Sequence, residues 1–270
     1  MNGANTRSGT GLVRLVGAGP GDPELLTVKA ARAIAEADVV VFDRLVSGAI
    51  LDLVPPGTRR IDVGKSTGHH PVPQEAINAL LIALARAGHR VVRLKGGDPF
   101  LFGRGGEEAL ALRAAGIGVE VVPGITSAQG CAASLGVPLT HRTLASGVRF
   151  VTGHARAGAE LDLDWDGLAD PDTTLVVYMG LASIGAIATQ LISAGRGPAT
   201  AVLAVSRGTL HDQRAVTTTL ERLSRETDHL DLPSPTLFIV GEVARLAQSK
   251  PVSEHDPCHE PPHRALVAAE

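Results

Sequence analysis

The sequence predicts an α/β protein of two domains, each built on a mostly parallel sheet with helices against it. Three observations carry that prediction. Short apolar, β-branched runs alternate with longer amphipathic ones; the 31 glycines in 270 residues gather just after the apolar runs; and the alternation breaks and restarts once, near Ala145. Runs such as "DVVVFD", apolar without alternation, suit strands covered on both faces.

In chain order, "VRLVG" reads as a strand, "PELLTVKAARAIAEA" as a helix and "DVVVFD" as the next strand. Asp22 and Pro23 give that helix an N-cap and a first-turn proline. "RRIDVG", "QEAINALLIALARAG", "RVVRLKGG", "GEEALALRAAG", "VEVVPG" and "TSAQGCAASLG" continue the series, with Gly88 and Gly116 placed as helix-terminating glycines. After "PLTHRTLASG" a second series opens with "VRFVTGH". It runs through "TTLVVYMG", "SIGAIATQLISAG", "ATAVLAVSRGT", "VTTTLERLSRET" and "PTLFIVGEVARLAQ". The expected organisation is an N-terminal tail over 1–11, domains over 12–144 and 145–248, and a proline-rich disordered tail over 249–270.

Composition narrows the function classes. A length of 270 residues permits burial of roughly 75% of the unfolded surface. The formal charge of −3, a pI near 6.4 and only 3% aromatics argue against a nucleic-acid partner. Mean hydropathy is +0.16 and no apolar run is long enough to span a bilayer. The start of the chain has no apolar signal core, so a cytoplasmic location and no membrane partner are expected. Cys131 and Cys258 do not form a disulfide framework, and Cys131 reads as a small buried apolar residue. His69 and His70 are neighbours with no third ligand at useful spacing. His255, Cys258, His259 and His263 sit at irregular gaps among prolines, so no metal is expected.

"LVGAGPGD" runs a strand into glycines and then a helix, the arrangement of a dinucleotide cradle. Asp22 stands where the third glycine belongs, and Pro20 removes a backbone N–H from the loop. An acid at the helix mouth repels phosphate. A second loop, "RLKGGDPFLFGRGGEEA", carries Gly96, Gly97 and Asp98, and a third, "VVPGIT", again follows a strand. Three glycine turns at strand ends place a ligand at that edge of the sheet, one that is polar or cationic rather than strongly anionic.

Together "VGAGPGD", "FDRLVS", "VGK", "PQEAIN", "RLKGGDPFLFGRGGEE", "VPGITSA", "PLTHR", "TGH" and "VVYMG" closely resemble the uroporphyrinogen-III C-methyltransferases, within the tetrapyrrole (class III) methyltransferases. The likeness runs in order from about Val13 to Val243; Phe42 departs from the Tyr found in many relatives. The resemblance implies S-adenosylmethionine in a cleft between two α/β domains, S-adenosylhomocysteine as its product form, and a homodimer. It also implies two methyl transfers to uroporphyrinogen III, at C-2 and C-7, giving precorrin-2 by way of precorrin-1 for cobalamin and sirohaem synthesis. The single-function form is expected, without the dehydrogenase and chelatase parts of the fused sirohaem synthase. A later precorrin or cobalt-precorrin methyltransferase and a non-enzymatic nucleotide-binding module are the alternatives.

Site residues follow from both sources. The resemblance places a proton acceptor at Asp43, which by position equally suits a strand-end Asp capping the next turn. Lys65 is the matching proton donor or charge partner, or else an exposed loop lysine. A substrate rich in carboxylates calls for cations: Arg93, Arg104 and Arg142, with an ion pair to Glu107 or Glu108 as the other reading of Arg93. Those glutamates are assigned to the helix N-terminus. The resemblance maps the cofactor onto Pro20, Gly96, Gly97, Asp98, Leu101, Thr126, Ser127, Met179 and Gly208.

Overall fold

The computed structural model describes residues 11–64, 72–154, 161–226 and 232–248. Lys65, His69, His70 and the tail's Cys and His residues lie outside them.

The first sheet is built from β1 (Leu12–Gly17), β2 (Val39–Phe42), β3 (Arg59–Asp62), β4 (Val91–Lys95) and β5 (Gly118–Val122), ordered β3-β2-β4-β1-β5. All its pairings are parallel. Val13 and Leu15 point to one face, where Ile77, Leu81 and Leu84 of α3 (Gln74–Arg86) and Leu112 of α4 (Gly105–Ala114) cover them. Val16, Val40 and Leu94 point to the other, under Ala30, Ala33 and Ile34 of α1 (Val28–Ala35) and Ile50 of α2 (Gly48–Leu51). Burial on both faces accounts for the unbroken apolar runs.

The expected helix from Pro23 divides in two. Asp22 does cap, accepting from Glu24 N, but only a 3₁₀ turn at Pro23–Leu25 follows it. Thr27 then accepts from Ala30 N and starts α1 proper. Two competing N-caps within one run explain the division, since each hydroxyl or carboxylate satisfies its own orphan N–H. Gly88 and Gly116 end their helices at φ 82° and 73°.

The second sheet comprises β6 (Gly147–Thr152), β7 (Thr173–Tyr178), β8 (Ala201–Ser206), β9 (Arg214–Thr219) and β10 (Thr236–Val240), ordered β6-β7-β10-β8-β9. Over both sheets five of the eight strand pairings are parallel, in keeping with the predicted class. The second sheet taken alone is mixed: β6 and β7 run parallel, whereas β10 runs against both β7 and β8, and β9 against β8. Direction is not written in these strands, because "AVLAVS" and "TLFIV" are buried throughout whichever way they run. The short connection between β8 and β9 permits the antiparallel turn.

Leu220 and Leu223 of α8 (Leu220–Glu226) and Ile184, Ile187 and Leu191 of α7 (Ile184–Ser193) cover one face of this sheet, and Leu168 of α6 (Trp165–Leu168) joins the same core. On the other face lies α5 (Ser127–Ser134). Ala128, Cys131 and Ala132 pack there with Val176, Leu203, Val205 and Ile239. α5 leaves the end of β5 in the first sheet and buries its apolar face against the second, so one helix ties the two layers together. Cys131 is 3% exposed, and burial pushes its thiol up to about 12.

Candidate active site

The three glycine turns close on one another. Gly19 and Gly97 exchange backbone bonds, Gly19 N donating to Gly97 O at 3.1 Å and Gly97 N to Gly19 O at 2.7 Å. Ala18 N donates to Lys95 O at 2.8 Å. A Cβ on Gly17 would stand 2.5 Å from Gly124 N, and one on Gly124 would stand 2.3 Å from Gly97 O. Backbones this close leave no room for a side chain. The N–H groups of Ala18, Gly19, Gly97 and, through Asp98, Gly124 are therefore spent within the protein and are not open to a phosphate.

Asp98 completes the knot: Oδ1 accepts from Phe100 N at 2.8 Å and Oδ2 from Gly124 N at 3.0 Å. A carboxylate has about four acceptor positions, so each oxygen retains capacity toward the open side. Thr126 caps α5 in a reciprocal box with Gln129, and the Ser127 hydroxyl oxygen lies 3.6 Å from where a Gly97 Cβ would be. Leu101 is half-buried beside them.

The second sheet brings its own loops to this edge. β7 and β8 both run antiparallel to β10, so their C-terminal ends share one side. Met179 follows β7 and is 51% exposed; Gly208 follows β8. Pro20 lies against Gly130 of α5, Asp22 N donates to Thr209 Oγ1 at 3.3 Å, and a Cβ on Gly208 would stand 2.2 Å from Cys131 Sγ. Among the described residues the non-glycine positions with positive φ are Phe102, Arg104, Met179, Arg207 and Thr209, all in these loops. Such backbone states persist only where the surroundings impose them, and they concentrate at functional sites.

Under the first sheet's edge sits a group of charges. Arg93 is 3% exposed; its Nη2 donates to Asp43 Oδ2 at 3.3 Å, Nε to Glu108 Oε1 at 3.2 Å and Nη1 to Leu94 O at 3.1 Å. It is thus ion-paired within the protein, the other of the two readings of this residue. Glu108 does lie in the first turn of α4, as the sequence predicts, and is in addition fully buried. Lys95 Nζ donates to the same Oε1 at 3.1 Å, and burial first, then the neighbouring Arg93, holds its ammonium below the ordinary lysine range. Asp43 Oδ1 accepts from Leu45 N at 3.1 Å, so the strand-end cap and the open carboxylate coexist.

Arg104 and Arg142 stand apart from this group. Arg104 holds Glu107 by two bonds at the surface, and that hydrogen bonding raises the guanidinium and lowers the carboxyl. Arg142 is exposed, in the turn closed by the His141–Ala145 bridge. Lys95, Phe102, Tyr178 and Thr209 were not singled out from sequence. A signal existed for Lys95: Arg93 and Lys95 alternate on a buried strand, so both face one side and need a buried acid there.

Residues 13–224 match the family of Tetrapyrrole (Corrin/Porphyrin) Methylases. The chain belongs to that family. Among its relatives, the uroporphyrinogen-III C-methyltransferase of Paracoccus denitrificans is 54% identical over 242 residues, covering 90% of this chain and 84% of that protein. The siroheme synthase of Hahella chejuensis is 52% identical over 237 residues, 88% of this chain; the chain spans only 50% of its length. The crystal structure of a Thermus thermophilus uroporphyrin-III C-methyl transferase complexed with S-adenyl homocysteine superposes with a TM-score of 0.76 at 46% identity, covering 87% of this chain and 100% of that one.

Proposed function

We propose that this tetrapyrrole methylase transfers methyl groups from S-adenosylmethionine to C-2 and C-7 of uroporphyrinogen III, forming precorrin-2 through precorrin-1. The likeness to the Paracoccus enzyme over nine-tenths of the chain carries the reading. The geometry supports the donor. The turns at the sheet edge present Asp22 and Asp98, with no Lys or Arg between Gly17 and Asp22, and the amides of Ala18, Gly19, Gly97 and Gly124 are already bonded. That chemistry suits a cationic nucleoside and not a dinucleotide.

Gly96, Gly97, Asp98, Thr126 and Ser127 would hold its polar groups, Leu101 and Met179 its apolar faces, with Pro20 and Gly208 shaping the walls. Once bound, the donor supplies an electrophilic methyl on its sulfonium. The turns hold the two reactants in line, an arrangement worth ~7–11 kcal/mol of barrier in favourable cases. Asp43 accepts the proton released from the methylated ring, an acid–base contribution of ~10²–10⁴ in rate. Lys65 is its charge partner by family likeness. Arg104 can exchange Glu107 for a substrate carboxylate at small cost, because an exposed pair contributes little. Arg142 is the second such cation. Arg93, buried and bonded to Asp43, orients that carboxylate and does not itself meet the substrate. The proposal includes domains over 12–144 and 145–248 with α5 shared, a homodimer, and a cytoplasmic place in cobalamin or sirohaem synthesis.

Incubation with the methyl donor and uroporphyrinogen III should yield a dimethylated product, with Asp43→Asn retaining S-adenosylhomocysteine binding at turnover reduced by ~10²-fold or more. No methylated product from the wild-type chain removes the reading. Undiminished turnover in Asp43→Asn moves the base elsewhere.

A further inference from the structure

The buried charges beneath Asp43 do more than packing requires. Arg93 and Lys95 of β4 and Glu108 of α4 are each less than 5% exposed. Glu108 Oε1 accepts from Arg93 Nε, Lys95 Nζ and, at 3.1 Å, Gln74 Nε2 of α3, while Oε2 accepts from nothing among the described residues. With Asp43 the group holds two cations and two anions. Buried ion groups are commonly replaceable by apolar residues without loss of stability, so stability alone does not account for one here. Its outlet is a single contact, Arg93 Nη2 to Asp43, and Asp43 is the member whose side chain reaches solvent, at 26% exposure.

We propose that Glu108 is a positioning residue for Asp43, fixing the Arg93 guanidinium through Nε and offsetting the charge of Lys95. This rests on the reading of Asp43 as proton acceptor. With Glu108 in place, the buried Arg93 and Lys95 of β4 and Glu108 of α4 together present Asp43 with one net positive charge. The other charges that bear on the group are Glu107 of α4, which acts on Lys95, and Arg104 at the start of α4, which acts on Glu108 and on Glu75 of α3; Lys65, assigned to Asp43 by family likeness, is common to every variant compared. Neutralising Glu108 leaves two cations against Asp43 alone, which favours its charged form and weakens it as a base.

The test is the pH dependence of kcat in the full chain with uroporphyrinogen III, alongside S-adenosylhomocysteine affinity by calorimetry. Glu108→Gln should keep cofactor affinity within about twofold, lower kcat by about tenfold, and move the acid limb to lower pH by about one unit. Adding Lys95→Gln restores the charge balance and should return the limb toward its wild-type position. An unmoved limb in Glu108→Gln, or one that the second substitution does not return, overturns the proposal. If Glu108→Gln fails to fold, Lys95→Gln alone should move the limb to higher pH, and an unmoved limb there overturns it equally. Failure of the underlying reading has a different signature: Asp43→Asn would then keep wild-type turnover whatever Glu108→Gln does.

Discussion

The ring of Phe102 lies 5.0 Å, centroid to centroid, from the ring of Tyr178. Phe102 comes from the long glycine loop after β4 and Tyr178 ends β7, so this contact spans the two sheets. The Tyr178 hydroxyl accepts from Ala128 N of α5 at 3.0 Å, and burial holds the phenol above its ordinary range. Tyr178→Phe keeps the ring contact and loses one acceptor, at about 1 kcal/mol; Tyr178→Ala loses both, at about 3 kcal/mol or more. Urea denaturation of the two variants measures the difference. Equal losses would assign the whole effect to the hydroxyl.

Asp98 is the acid that ties the second turn to the third. Asp98→Ala strips acceptors from Phe100 N and Gly124 N, at about 1–3 kcal/mol of local stability for each group left unpaired. S-adenosylhomocysteine affinity should fall by about tenfold or more, read by calorimetry. Wild-type affinity would show that the glycine backbones hold the turns without the carboxylate.

Gly208 faces Cys131 with no space between them. A methyl at Gly208 would sit 2.2 Å from the sulfur, so Gly208→Ala should cost about 1–3 kcal/mol. Cys131→Ala in the same chain removes the obstructing atom and should recover part of that loss, a coupling that a double-mutant cycle reads directly.

The same thiol makes stability depend on alkaline pH. Its folded value is raised from 9.0 to about 12, so the unfolded chain loses this proton first. The contribution is complete below about 9 and declines as pH rises toward 12. Denaturation midpoints followed across that window should fall less steeply in Cys131→Ala than in the wild type. Identical slopes would place the thiol in a wetter setting than the packing shows.

Arg196 has no surface role. At 2% exposure its guanidinium donates to the carbonyls of Leu168, Asp170 and Thr173 at 2.9–3.0 Å, joining α6 to the start of β7. Arg196→Met takes this donor from all three carbonyls, of which Asp170 O keeps a second one in Thr173 N, and should cost about 3 kcal/mol or more, measured by thermal or chemical unfolding. A neutral substitution would show that these carbonyls find other donors.

Periodicity and punctuation determined a good deal. The order of strands and helices, the glycine ends of α3 and α4, the buried character of Cys131 and the gathering of three glycine turns at strand ends are all local properties, set by side-chain spacing and by φ. The acids at Asp22 and Asp98 already argued against a phosphate. Tertiary structure decided what local pattern does not encode. β10 enters the second sheet against its neighbours because a strand buried on both faces reads alike in either direction. α5 serves the core of a sheet it does not belong to because its small residues fit wherever a close approach is offered. Arg93 points inward to Glu108 and Asp43, while Arg104 stays at the surface, because burial of a charge depends on partners 15 and 50 residues away along the chain. Sequence spacing carries the chemistry of each residue; only folding selects which charges meet.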